Sequence, residues 1–184
     1  MTSAPRPFDT VLVANRGEIA VRVLRAAKES GLRGVAVYSD PDAGSLHVEN
    51  ADQAVHLSGT TLADTYLNGD AIIEAARSTG AQAIHPGFGF LSERADFANA
   101  VKAAGLIWIG PPADAIDTMG DKISARRCMI ESGVPVIPGE EISIGGDSDH
   151  LGVLASAAAR VGYPLLLKAS AGGGGKGMRS VHEP

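Results

Sequence analysis

Leu165-Leu166-Leu167-Lys168-Ala169-Ser170-Ala171-Gly172-Gly173-Gly174-Gly175-Lys176-Gly177-Met178-Arg179-Ser180-Val181 is the stretch on which the fold assignment turns. Leu165 to Leu167 follow the turn signal Gly162-Tyr163-Pro164 and predict a buried strand, which would fix Lys168 at its end. Met178 to Val181 predict a returning strand, so the element is strand, glycine loop, strand. Glycine lets backbone N–H groups converge closely on an anion, and a nearby ammonium supplies compensating charge, so the pattern suits a flap over phosphate. A flexible linker is the competing reading, set against the apolar strand and the lysine that precede the glycines. Two familiar glycine motifs do not apply. A P-loop needs Ser or Thr after its lysine, whereas Gly177 follows Lys176, and Ser170 stands where its first glycine belongs. A dinucleotide fingerprint needs a helix directly after the glycines, and Met178-Arg179-Ser180-Val181 is strand-like.

The composition frames what surrounds this element. Of 184 residues, 45% are hydrophobic, 20% charged and only 4% aromatic, a profile of an α/β protein. A net charge of -5 without any basic run argues against a nucleic-acid surface. The single cysteine, Cys128, falls in a helical stretch and reads as a small core residue rather than a nucleophile. No segment has signal-peptide or membrane-span character, which leads to the expectation of a cytoplasmic protein with no membrane partner.

Upstream, strand and helix patterns alternate. Val11 to Ala14 is an apolar run, Asn15-Arg16-Gly17 a turn, Glu18 to Ser30 a helix closed by Gly31, and Gly34 to Tyr38 a second strand. This is a βαβ unit with parallel strands. The pattern recurs with a strand at 53–57, a helix at 68–79, a strand at 83–85, a helix at 92–104 and a strand at 107–109. The fold class is therefore α/β with a Rossmann-like doubly wound parallel sheet. Ligands of such sheets lie beyond the carboxyl ends of the strands, where Asn15-Arg16-Gly17 and His85-Pro86-Gly87-Phe88-Gly89-Phe90 would share one edge. Ser92 is expected to cap the fourth helix, with Glu93 in its first turn. His85 has two readings, a ligand contact or a hydrogen-bonded structural residue.

Gly110-Pro111-Pro112 interrupts the alternation. A short helix over 113–119 follows, and then a helix over 122–132 with Lys122 in its first turn. The helix dipole disfavours a cation there unless an anion is bound, so Lys122 is either a ligand contact or a solvated lysine. Residues 138–146 are turn-rich, and 149–161 form an alanine-rich helix that leads into the glycine element. Arg22, Arg25 and Glu29 share one face of the first long helix, as a partner contact or as a solvated stripe with an Arg25–Glu29 pair.

Taken together, Ala14-Asn15-Arg16-Gly17-Glu18-Ile19-Ala20, His85 to Glu93, Met119-Gly120-Asp121-Lys122 and Lys168 to Met178 closely resemble the biotin carboxylases. The resemblance covers nearly the whole chain. It implies a biotin carboxylase N-terminal (pre-ATP-grasp) domain over 1–118, followed by the start of an ATP-grasp domain with its glycine-rich lid over 119–184. It also implies ATP-dependent carboxylation, through carboxyphosphate, of biotin held on a carrier protein or domain, which then serves a carboxyltransferase. By the same resemblance Lys122 and Lys168 match the nucleotide-phosphate lysines, Gly172, Gly173, Gly174 and Gly175 the flap over ATP, and Met178 a residue near the adenine. Arg22, Arg25 and Glu29 match a homodimer contact. Two departures stand out. Phe88 replaces the usual Tyr and so lacks a hydroxyl, and Ala171 replaces a frequent Gly. Relatives are more than twice as long, and their Mg2+-binding carboxylates, bicarbonate-binding arginine and catalytic base fall beyond Pro184. No catalytic residue is therefore assigned within the chain, which looks like an N-terminal fragment expected to be inactive alone. A carbamoyl-phosphate-synthetase-like enzyme and a non-catalytic folding or dimerisation module are the alternatives.

Overall fold

Strands β1 (Thr10–Val13), β2 (Arg33–Tyr38), β3 (Gln53–His56), β4 (Ala83–His85) and β5 (Ile107–Trp108) form one sheet in the order β3-β2-β1-β4-β5. Every neighbouring pair in it is parallel. The computed structural model describes residues 6–142, 149–168 and 177–184, and the chain divides into two compact units, Met1–Asp117 and Thr118–Pro184.

The first unit owes its layers to strand alternation. Successive side chains of β1 point to opposite faces, and both faces must be covered because all four residues are buried. On one face Val13 and Ala36 pack against Ala20 and Leu24 of helix α1 (Gly17–Glu29), while Val11 and Ala83 pack against Ala27 of the same helix. On the other face Leu12, Val35, Val37 and Ile84 meet Ile72 and Ala76 of α3 (Gly69–Thr79) and Phe97, Ala98 and Val101 of α4 (Ala95–Ala103). Between β2 and β3 the chain forms a 3-10 turn (Asp40–Asp42) and a short helix α2 (Leu46–Glu49), neither of which the hydrophobic periodicity indicated. Helix α3 is bounded by local chemistry. Asn68 accepts a hydrogen bond from Ala71 N at its start, and Gly80 takes the left-handed conformation (φ 70°) at its end.

The expected cap at Ser92 is not formed. Phe90–Glu93 is a 3-10 turn, and α4 begins three residues later than the sequence suggested, after Arg94, with no side-chain cap. The physical reason is the tight path through Gly89 and Phe90, both with positive φ, which winds Phe90–Glu93 into a separate turn.

The second unit contains α6 (Lys122–Glu131), α7 (His150–Val161) and the antiparallel strands β6 (Leu165–Lys168) and β7 (Met178–Val181). Helix α5 (Ala113–Gly120) runs across the division between the units. Asp121 caps α6 through Ser124 N at 2.7 Å, and Asp149 caps α7 through Gly152 N at 3.0 Å. The strand at 165–168 is present, but it is not buried as its three leucines suggested. Leu166 is 45% exposed and Leu167 36% exposed, because a two-stranded sheet that only shares a groove with α7 is not packed between two layers. Cys128 is half-buried on a helix with no buried residue, so it is not a core position. No helix among the described residues is long and apolar enough to cross a membrane.

Candidate functional site

The carboxyl edge of the first unit is built around Asn15, which is 2% exposed. Ala14 N donates to His85 O at 2.9 Å, so the turn after β1 and the loop after β4 leave the sheet side by side. The Asn15 amide then joins them. Its Nδ2 donates to Pro86 O at 2.9 Å and to Phe88 O at 3.0 Å, and its Oδ1 accepts from Arg16 N at 2.9 Å. A Cβ on Gly87 (φ +72°) would lie 2.6 Å from Asn15 Nδ2, so only glycine permits this approach. His85 is a structural residue in this loop. Its Nδ1 accepts from Gly87 N at 3.0 Å, and burial pushes its pKa down, favouring the neutral form that such acceptance requires.

Arg16 turns the other way. Its Nε donates to Asp42 Oδ2 at 2.6 Å, and a second guanidinium nitrogen donates to Asp42 Oδ1. The Tyr66 hydroxyl donates to Asp42 Oδ2 at 2.5 Å and accepts from Ser39 N at 3.1 Å. These bonds from Arg16 outweigh the opposing effect of burial and hold the Asp42 carboxyl at about 2. The same hydrogen bond raises the Arg16 pKa, while burial raises that of Tyr66. A cleft of about 390 Å³ opens beside this group, lined by Arg16, Ser39, Asp42, Thr61, Thr65 and Tyr66 among others. The Tyr66 ring stacks on Phe90 with centroids 5.6 Å apart and planes 7° from parallel. Phe88 projects from the same loop and is 75% exposed.

In the second unit, register decides what the glycine element presents. Lys168 pairs with Met178 and Leu166 with Ser180, so these four share one face of the hairpin, with Leu165, Leu167, Arg179 and Val181 on the other. Lys168 and Met178 thus stand opposite each other at the mouth of the loop. Gly172 to Gly175 lie outside the described residues. Lys122 is the first residue of α6, directly after the capping Asp121. A groove of about 900 Å³ runs along this unit, lined by Lys168 together with apolar Ile137, Leu154, Ala157, Val161 and Leu165. Among the described residues no cluster of three carboxylate, histidine or cysteine side chains could hold a metal ion.

Residues 7–116 match the family model for the biotin carboxylase N-terminal domain. The chain belongs to the biotin carboxylase family. Residues 121–184 match the ATP-binding domain model of the carbamoyl-phosphate synthase L chain. Over 176 residues, 96% of this chain, it is 51% identical to the mitochondrial methylcrotonoyl-CoA carboxylase subunit alpha of Dictyostelium discoideum. Over 174 residues, 95% of this chain, it is 51% identical to the biotin carboxylase of Haemophilus influenzae. It spans 25% of the first relative and 38% of the second. The biotin carboxylase domain dimer of Hydrogenobacter thermophilus 2-oxoglutarate carboxylase, solved with MgADP, ADP and bicarbonate, superimposes with a TM-score of 0.83 at 44% identity. That match covers 97% of this chain and 38% of the other.

Biotin carboxylases are ligases, and the matched ATP-binding domain carries the glycine element. Sequence reasoning placed Asn15, Arg16 and the loop from His85 to Phe90 at one edge but missed Asp42 and Tyr66. Asp42 lies in the run Ser39-Asp40-Pro41-Asp42, which resembles an ordinary polar turn, and nothing in the spacing singles out the one buried carboxylate.

Proposed function

We propose that this chain is the N-terminal portion of an enzyme that uses ATP and bicarbonate to carboxylate biotin on a carrier protein or domain, for delivery to a carboxyltransferase. The observation that carries this reading is the register of the hairpin. Lys168 is held at a strand end facing Met178, with the glycine loop between them, as a lysine meeting phosphate and a thioether lying near the base would require. In this reading Lys168 and Lys122 neutralise nucleotide phosphate, and Gly172 to Gly175 supply backbone N–H groups to the same anion. Mg2+ bound with the nucleotide would supply further neutralisation of phosphate charge. The matched ATP-binding domain supports this reading, as does the relative solved with MgADP and bicarbonate.

Arg22, Arg25 and Glu29 are exposed on α1, with Arg25 Nε 3.9 Å from Glu29 Oε1, and we assign this face to a homodimer contact. Its support is the dimer of the relative, and an exposed pair of this kind contributes little to the fold by itself. The isolated 184-residue chain should lack bicarbonate-dependent ATPase activity.

The test uses full-length protein containing this chain. Lys168→Ala and Lys122→Ala should each weaken ATP binding about tenfold to a hundredfold, as expected for loss of a charge-assisted phosphate contact. Unchanged affinity in both variants would remove the lysines from the nucleotide site.

A further inference from the structure

Residues 43–50 run between two fixed points. At one end Asp42 is held by Arg16 and Tyr66, and at the other Asp52 Oδ2 accepts from Gly34 N at 2.7 Å. Between them a single side chain is buried. His47, on the one-turn helix α2, is 0% exposed, Ser45 and Val48 are half-buried, and the others face solvent. Leu46 beside it is 65% exposed, so an imidazole rather than an apolar side chain is the main anchor of the segment. His47 Nε2 lies 3.2 Å from Val37 O of β2 and carries the proton which that bond needs. Nδ1 is buried and has no hydrogen-bond partner in the chain. A second proton on the closed ring would bury both a charge and an N–H without an acceptor, a cost that a four-residue helix cannot offset.

The surroundings do not relieve this. Burial acts most strongly on the ring and disfavours its charged form; the Val37 carbonyl and then Asp42 favour that form, and Arg16 opposes it. Asp42 is already committed to Arg16 and Tyr66. On the elements packed against α2, the other ionisable side chains of α1 (Glu18, Arg22, Arg25, Lys28 and Glu29) and Arg33 of β2 are exposed, and half-buried Tyr38 lies against His56.

We infer that residues 43–50 form an acid-released strap: when the His47 ring takes up a second proton, α2 leaves α1 and β2, and the segment opens between Asp42 and Asp52 while the sheet stays folded. The device does not depend on the carboxylase reading. In the open strap the ring is solvated and titrates near its ordinary 6.5, whereas the closed strap holds it neutral. Closure is therefore complete above 6.5 and weakens as pH falls below it, by about tenfold per pH unit for one proton.

Amide hydrogen exchange in the 184-residue chain tests this. The reporters are Val48 and Asn50, whose N–H groups donate to Ser45 O and Leu46 O at 2.9 Å each, and the amides pairing β1 with β2 are the reference. Protection factors, which remove the intrinsic effect of pH on exchange, should fall at Val48 and Asn50 about tenfold per pH unit below 6.5. Dilute urea that accelerates exchange in β1 and β2 should leave Val48 and Asn50 unchanged, because opening the strap exposes little surface. His47→Gln keeps an amide donor for Val37 O and cannot titrate, so its protection at Val48 and Asn50 should not depend on pH. Nitrogen NMR of the His47 ring in the unmodified chain needs no variant, and the doubly protonated ring should appear only with the backbone shifts of an open segment. Should His47→Gln fail to melt cooperatively, that spectrum decides. Protection at Val48 and Asn50 that stays constant from pH 6.5 to about 5 overturns the inference, as does a pH dependence retained in His47→Gln. So does urea that accelerates the two amides in step with the sheet, or a ring that protonates with the strap closed.

Discussion

The two units of this chain were written with similar local signals and differ in what stands behind them. Residues 10–108 place the central strands β1, β2 and β4 between two layers, and Leu12, Val13, Val35, Val37 and Ile84 are wholly buried. Residues 118–184 have capped helices and a paired hairpin, yet Ala157 alone is buried there among the described residues. Ile137 and Leu151 are 86% and 80% exposed. Good caps and correct strand pairing therefore do not make a core. Burial follows from the number of layers, and a two-stranded sheet lacks them.

The contrast is broken most directly in the strands. Ile84→Ala should destabilise the first unit by about 3–4 kcal/mol, while Leu166→Ala in the half-exposed hairpin should cost less than about 1 kcal/mol. Denaturant melts followed at Trp108, the single tryptophan and 8% exposed within the first unit, measure the former, and circular dichroism the latter. Equal losses would mean that the hairpin is packed as tightly as the sheet. Next in size is Asp42→Ala, which strips Arg16 and Tyr66 of their shared acceptor and should cost about 3 kcal/mol in the same melt. The ion pairs Arg160–Glu140 and Arg127–Glu141 of the second unit are partly to largely exposed, so Glu140→Ala should shift its helical signal by less than about 1 kcal/mol.

Acid should separate the units more gently. Asp42 titrates at about 2 when folded against an ordinary 3.8, so its contribution is intact above that ordinary value and is lost as pH falls through about 2. The difference amounts to about 2 kcal/mol. His47 and His85 have folded pKa values pushed below 6.5 by burial, so they are neutral in the fold and take up protons on unfolding. Their contribution is complete above 6.5 and declines as pH drops below it. Stability of the first unit measured across this range should therefore fall in two stages, and a flat profile down to pH about 4 would contradict the histidine assignment. The smallest expected effect is at the caps. Asn68→Ala should cost the first unit about 1 kcal/mol, whereas Asp149→Ala should leave the Trp108 transition in place.

Much of this was legible in the sequence because the signals were local. Gly31, Gly80, Gly105 and Gly133 end helices where glycine was read as a stop, and the expected strands stand at Leu165–Lys168 and Met178–Val181. The motifs at Asn15 and His85 were correctly placed on one edge, as the Ala14–His85 hydrogen bond shows. Asp42 was not legible, since a carboxylate separated by 26 residues from its arginine looks like any turn aspartate until the chain folds. The leucines at 165–167 misled for the opposite reason. An apolar run reports a capacity to be buried, and only neighbouring layers supply the burial.

Amide hydrogen exchange across the 184-residue chain tests the difference between the units most directly. Amides of β1, β2 and β4 should be protected at least about a thousandfold more strongly than those pairing β6 with β7, because the former open only with the whole core. Comparable protection in the hairpin and the parallel sheet would contradict the account.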